Sequence, residues 1–223
     1  MKNPLKIGLG MMIVMLGIAM PAYAQVDLGL DVNSRYVWRG TDFGNSPSFQ
    51  PQISYSAGNF TVGGWAAFAS NGNPAGSEID LFASYSLETG IGNFDLMITD
   101  YTFPESPTGN YFTSEAHFVE LGLAYGGTEN LPLTLFTGVF VTNDDDYSVY
   151  AELGYSISNI ELSLGMTPSA SAMYGTTGAG IVSAGLGTSR EIVLTEMFSL
   201  TLNGSFLINP YQENAFFLVG FSL

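Results

Sequence analysis

The chain has 223 residues, 46% hydrophobic and 13% aromatic, with 20 Asp and Glu against five Lys and Arg and a formal charge of −15. So acidic a chain repels nucleic acid, whose binding depends on Lys and Arg at phosphates, so no nucleic-acid partner is expected; its apolar content argues against disorder. It has no cysteine, which excludes a lipid-attachment thiol, a disulfide scaffold, zinc–thiolate sites and a cysteine nucleophile.

At the N-terminus, Lys2 and Lys6 flank the start of an uncharged apolar run over residues 7–20. Ala22-Tyr23-Ala24 then offers a small-x-small cleavage site before Gln25. The pattern predicts a cleaved signal peptide over residues 1–24 and an exported domain over residues 25–223. The apolar run falls short of the ~20 residues that a membrane anchor needs. Cleavage leaves Arg35, Arg39 and Arg190 as the cations against 20 carboxylates. No later segment approaches a transmembrane helix, so a membrane-spanning domain here must be a closed barrel.

Period-2 alternation supports the barrel. The first run sets Val26, Leu28, Leu30, Val32, Tyr36 and Trp38 on one face and Asp27, Asp31, Arg35 and Arg39 on the other. It is followed by runs from Phe49 to Ser56 and from Phe60 to Phe68, joined by a Gly58-Asn59 turn whose residues supply positive φ. Further runs begin at Ile79, Phe94, Phe118, Leu133, Tyr147, Ile160, Ala179, Phe198 and Ala215, which makes twelve strands. Residues 133–142 are apolar on both parities, so their phase is ambiguous.

Short turns near residues 58, 90, 128, 158 and 194 alternate with mostly longer polar connections near residues 44, 74, 109, 145, 173 and 212. An even strand number with short turns at one end and longer loops at the other marks an outer-membrane barrel. On the apolar parity, Tyr55, Phe60, Tyr85, Phe94, Tyr125, Tyr155 and Phe198 fall near the short-turn end. Tyr36, Trp38, Phe49, Phe68 and Tyr147 fall near the long-loop end. Two aromatic girdles suit two membrane–water interfaces. A soluble periplasmic β-sandwich also alternates, but gives no reason for two girdles or for strands of ~10 residues throughout. The fold class expected is therefore all-β, an antiparallel up-and-down transmembrane barrel of twelve strands.

The stretch NSRYVWRGTDFGNSPSFQPQISYSAGNFTVGGWAAFAS, residues 33–70, resembles the opening hairpin of the TorF-type porins, whose members carry Tyr-x-x-Arg-Gly near the mature N-terminus. The tail NPYQENAFFLVGFSL, residues 209–223, is similar to their Asn-Pro…Glu…aromatic…Val-Gly ending. The resemblance implies an outer-membrane barrel with a pore and implies no substrate. This chain ends in Gly-Phe-Ser-Leu where many outer-membrane barrels end in Phe, so recognition by the barrel-assembly machinery is expected to rest partly on Phe221.

Parity places Asp27, Asp31, Arg35, Arg39, Asp80, Glu88, Asp95, Glu120, Glu152 and Glu161 on the luminal face. Lipid would reject Arg or Lys at its midplane by about 2–4 kcal/mol, whereas a wet interior accommodates charge. An acidic lumen fits a cation-preferring diffusion channel for small polar solutes. The same charges, paired into a network, would plug a narrow barrel and leave the loops as the working part. Twelve strands lie between filled eight-stranded barrels and open sixteen-stranded porins, so strand number leaves both readings open.

A barrel hydrolase is the third reading. His117, the only histidine, has no serine two residues on, and Ser70-Asn71-Gly72 resembles a fragment of a barrel-phospholipase motif without its preceding histidine. No enzymatic activity, cofactor or metal is expected from these residues. Asp144-Asp145-Asp146 could hold Ca²⁺ or bridge lipopolysaccharide phosphates, but the spacing is not that of a calcium loop, and a solvated turn suits it better. Residues 169–180 are small-residue-rich and read as a loop that could fold inward. Lipid and lipopolysaccharide, the assembly machinery and small polar solutes are the partners expected, in the bacterial outer membrane.

Overall fold

Alternating side chains can bury one face only if the sheet they form closes or stacks, and here it closes. The computed structural model describes residues 24–196 and 198–223; residues 1–23, nearly all of the expected signal peptide, lie outside them. In chain order the strands are β1 (Ala24–Asn33), β2 (Tyr36–Trp38), β3 (Thr41–Phe43), β4 (Ser48–Ala57), β5 (Phe60–Ala69), β6 (Glu78–Thr89) and β7 (Gly92–Thr102). They continue with β8 (Phe118–Thr128), β9 (Leu131–Phe140), β10 (Val149–Ile157), β11 (Ile160–Thr167), β12 (Gly180–Thr195), β13 (Phe198–Asn209) and β14 (Asn214–Ser222). All but β2 and β3 form one closed antiparallel barrel of twelve strands.

Closure joins β1 to β14 over Asp31↔Ser222, Val32↔Phe221 and Asn33↔Gly220. The seam extends one step further through reciprocal backbone bonds between Leu30 and Leu223, Leu223 N donating at 3.0 Å and Leu30 N at 3.3 Å. Phe221 thus sits at the seam, paired on its other side with Leu202. Closure removes the unpaired edge that an open sheet would expose.

The outward face is apolar. Leu81, Leu121, Leu153, Leu164 and Phe206 are each between 42 and 49% exposed. An apolar belt of this extent is covered by lipid rather than water. Tyr55, Phe60, Tyr85, Tyr155 and Phe198 ring the short-turn end, and Phe49, Phe68 and Tyr147 stand exposed near the other. The architecture is that of an outer-membrane-type barrel.

One expectation is corrected. The first run does not continue outward through Trp38. β1 ends at Asn33, and β2 and β3 form a separate two-stranded hairpin, Tyr36↔Phe43 to Trp38↔Thr41. Its two-residue turn has φ of 49° at Arg39 and 79° at Gly40, the positive pair of a tight hairpin. The hairpin folds into the loop end of the barrel, so Tyr36, 7% exposed, and Trp38 belong to the interior and not to a girdle. The core lies there as well, formed by Tyr101, Phe140, Tyr150, Tyr174 and Val182 with Trp38 packed against them.

Because face decides solvent, Leu164→Arg on the outward side of β11 should destabilise the barrel in lipid vesicles by about 2–4 kcal/mol. Ser163→Arg, one residue away on the luminal side, should cost far less. Equilibrium unfolding of the two variants checks the assignment; equal losses would overturn it.

Candidate functional site

The interior is divided into two levels by the hairpin. Arg39, at its tip, projects its guanidinium onto β8, where Nη1 donates to Glu120 Oε1 at 2.6 Å and Nη2 to Oε2 at 2.9 Å. Nη1 also donates to Tyr174 Oη at 2.6 Å, and Tyr101 Oη donates to Glu120 Oε2 at 2.9 Å. Side-chain exposure is 10% for Arg39 and 4% for Glu120, so this is a desolvated, bidentate pair rather than a surface bridge. The guanidinium carbon lies 4.4 Å from the Trp38 ring centroid and 4.3 Å from that of Tyr150. Stacking between those two rings supplements the ion pair.

The backbone of the tip fits as closely as its side chain. A Cβ on Gly40 would collide with the carbonyl oxygen of Val182. That oxygen belongs to β12 where the β11–β12 register shifts near Met166. Asn209 Nδ2 donates to Gly40 O at 3.2 Å. The hairpin is therefore fastened to opposite walls, through Arg39 on one side and Gly40 on the other.

Two further contacts complete the plug. Tyr36 Oη donates to Glu78 Oε2 at 2.8 Å, and Tyr36 packs 5.4 Å from Trp65 on β5. The small-residue loop of residues 168–179 turns inward to present Tyr174. Tyr174 N donates to Ser171 Oγ, Ser171 and Ser148 share a 2.6 Å hydroxyl contact, and Gln212 Nε2 donates to Tyr174 O at 3.2 Å. The acidic tip participates in this anchoring: Asp144 Oδ2 accepts from Ser148 N and Asp146 Oδ2 from Ala172 N.

The remaining luminal candidates are dispersed. Arg35 donates to Asp42 Oδ2 at 2.9 Å and to Asn45 Oδ1 at 2.5 Å, within the hairpin segment itself. Asp27 is exposed at the short-turn end and accepts from Gln25; Asp31 is half-buried on β1. Asp80 is 7% exposed beside Glu78 on the luminal face of β6. Asp95 accepts from Ser86, Glu152 accepts from Tyr150 Oη at 2.5 Å, and Glu88 and Glu161 are exposed.

Beneath Arg39 the lumen is hollow. A 260 Å³ space bounded by Arg39, Glu120, Phe136 and Glu152 lies above polar cavities of 450 and 440 Å³ that share Glu161, Gly187 and Ser205.

Tyr101, Tyr150, Tyr174 and Glu78 were not singled out by sequence reasoning. The available signal was the loss of alternation over residues 133–142, because Phe136 and Phe140 point inward against the plug.

His117 lies outside this cluster, on the rim. Its Nδ1 is 2.8 Å from Asp100 Oδ2 and its Nε2 is 2.8 Å from Tyr111 O. A carboxylate and a carbonyl only accept, so both ring nitrogens donate and the ring is held as imidazolium. The Asp100 bond accordingly raises its pKa above the ordinary value. An imidazolium with both nitrogens engaged has no lone pair for general-base work.

The family comparison supplies the wider context. The model of a family described as a bacterial protein of unknown function, Gcw_chp, matches residues 21–167. The chain belongs to this family. The matched span of Gcw_chp runs from ahead of β1 through β11 and so contains both Arg39 and Glu120, whereas Tyr174 lies beyond it. No curated protein matches the sequence. Among solved structures, outer membrane phospholipase A from Escherichia coli is similar at 11% identity and a TM-score of 0.41, covering 92% of this chain and 90% of that one. The expectation of a non-enzyme is corrected on this finding, since that neighbour is an enzyme. At this distance the likeness carries no activity across.

Two outcomes follow from the geometry. Arg39→Ala leaves Glu120 buried without its cation and should weaken docking of the hairpin by about 3–5 kcal/mol. Arg39→Lys should recover only part of that, because an ammonium cannot bond the carboxylate bidentately. Hydrogen exchange should show the amides of residues 36–43 losing protection while the barrel strands keep theirs.

For His117, the folded pKa is raised above the unfolded value of about 6.5. Its contribution to loop anchoring is therefore fully present below that value and is lost as pH rises through the folded pKa. NMR titration of the only imidazole in the chain should give a midpoint above 6.5, moved down by Asp100→Asn.

Proposed function

We propose that this protein is an outer-membrane, porin-type channel for small polar solutes, preferring cations and closed at its outer mouth in the conformation seen here. The observation that carries the reading is the Arg39–Glu120 pair, which fastens a separable hairpin across an otherwise hollow lumen. A barrel built only as scaffold has no need of polar cavities of 440 and 450 Å³ lined by Glu152, Glu161, Ser163, Asn203 and Ser205 below its plug. Carboxylates on such walls concentrate cations and repel anions.

The resemblance to TorF-type porins at both ends of the mature chain supports the same reading, as does the signal-peptide pattern over residues 1–24. Export would bring residues 25–223 to the outer membrane, where the assembly machinery would engage the C-terminal strand and lipopolysaccharide would surround the loop end. A second reading, a permanently stopped barrel whose loops do the work, is favoured by the tight aromatic packing of Trp38 against Tyr101, Phe140 and Tyr174.

Planar-bilayer recording separates the two. The parent should show rare openings, and Arg39→Ala should conduct steadily with cation preference that falls in a Glu152→Gln, Glu161→Gln background. An Arg39→Ala barrel that inserts, keeps its heat-modifiable migration on gels and still conducts nothing would overturn the channel and leave the stopped barrel.

A further inference from the structure

Above the plug, on the side away from the polar lumen, the loop end encloses a cavity of about 580 Å³. Its floor is buried: Tyr101, Phe140 and Glu78 are each at most 9% exposed. Its rim is open, since Pro74, Ala75, Glu105 and Pro107 are all exposed. The volume is that of an ordinary small-molecule site, concave and largely apolar with a few polar groups.

Two features fix the chemistry of an occupant. The first is aromatic: Trp38, Phe43, Tyr101, Phe103, Phe118 and Phe140 line the space. Ring faces attract cations, and the Trp38 ring already does so, holding the Arg39 guanidinium 4.4 Å from its centroid. The second is charge. Glu78 is in the wall, 3% exposed, with Tyr36 as donor to one oxygen. Asp80 follows on the same face of β6, 7% exposed, and its Oδ1 is buried without a protein partner. No Lys, Arg or His lines the cavity among the described residues. The exposed Glu105 on the rim adds the same sign to the approach.

We infer that this cavity is a binding site for a small organic cation, an ammonium group bearing an aromatic or branched apolar substituent. The substituent packs among the Phe rings, and the ammonium is held by the face of Trp38 and by the Glu78 carboxyl. An anion meets the buried Glu78 carboxyl with no cation in the lining, and a neutral isostere gains only the apolar contact. The site lies outside the Arg39–Glu120 pair and does not depend on whether the lumen conducts.

The chain has two tryptophans, and of these only Trp38 lines the cavity, so Trp65→Phe isolates its fluorescence. Titrating that barrel in maltoside micelles, benzyltrimethylammonium should give a saturable change with an affinity at least about tenfold above that of benzyl alcohol, the factor expected for a desolvated cation–π contact with a carboxylate behind it. Benzenesulfonate should give none. Glu78→Gln should weaken the cation about tenfold and leave benzyl alcohol unchanged. The ranking of the three probes on the parent side chains decides the matter even where Glu78→Gln does not fold. Benzyl alcohol binding as tightly as the cation, or no saturable response to the cation, would overturn the assignment.

Discussion

The buried pair of Arg39 and Glu120 is the constraint around which the interior is arranged. A guanidinium buried in an aromatic-walled space is costly without a partner, and a buried carboxylate is costly without a cation. Each therefore dictates where the other's backbone runs. Glu120 is fixed by the β7–β8–β9 register, so the hairpin tip must come to it. Arginine suits the position because its planar fork bonds both carboxylate oxygens while both faces remain free for Trp38 and Tyr150. Side chains 81 and 135 residues away in sequence meet at one group, which makes the contact long-range in chain and central in space.

Room for that group is provided by glycine. A Cβ at Gly138 would collide with Glu120 Oε1, and one at Gly165 with the Tyr150 hydroxyl. Both are luminal positions on strands beside the clamp, and each gives a bulky neighbour the space to reach inward. Twelve strands enclose more than their own side chains can fill at the loop end. The chain fills that end with a folded-in hairpin and a folded-in loop and leaves the short-turn end hollow. The resulting interior has an aromatic level above Arg39 and a polar, acidic level below it.

This division also explains which parts of the structure were legible in sequence. Period-2 alternation gave twelve strands because almost every strand has one face on lipid and the other on water or polar side chains. It failed at Tyr36 and Trp38 because a hairpin packed into an aromatic core alternates just as a lipid-facing strand does. Periodicity reports that a face is apolar and is silent on what covers it. The ambiguous stretch over residues 133–142 carried the missing information: β9 is apolar on both faces where its inner face meets the plug at Phe136 and Phe140. The Arg39–Glu120 pairing could not be read because parity puts ten charges in one lumen without saying which of them meet.

The magnitude of the clamp decides how such a barrel rests. The guanidinium borders the 260 Å³ space beneath the hairpin, which shares Glu152 with the polar level below. Removing one partner of such a buried pair costs about 3–5 kcal/mol, because the other is left as an uncompensated buried charge. Surface bridges, by contrast, are worth about 0–1 kcal/mol. The hairpin is thus held by a desolvated pair at its tip, by Asn209 on the Gly40 carbonyl and by Tyr36 on Glu78, with the aromatic rings packed around them. Freeing the guanidinium removes the charge-assisted contact of the tip and leaves Asn209 Nδ2 still donating to Gly40 O on the opposite wall.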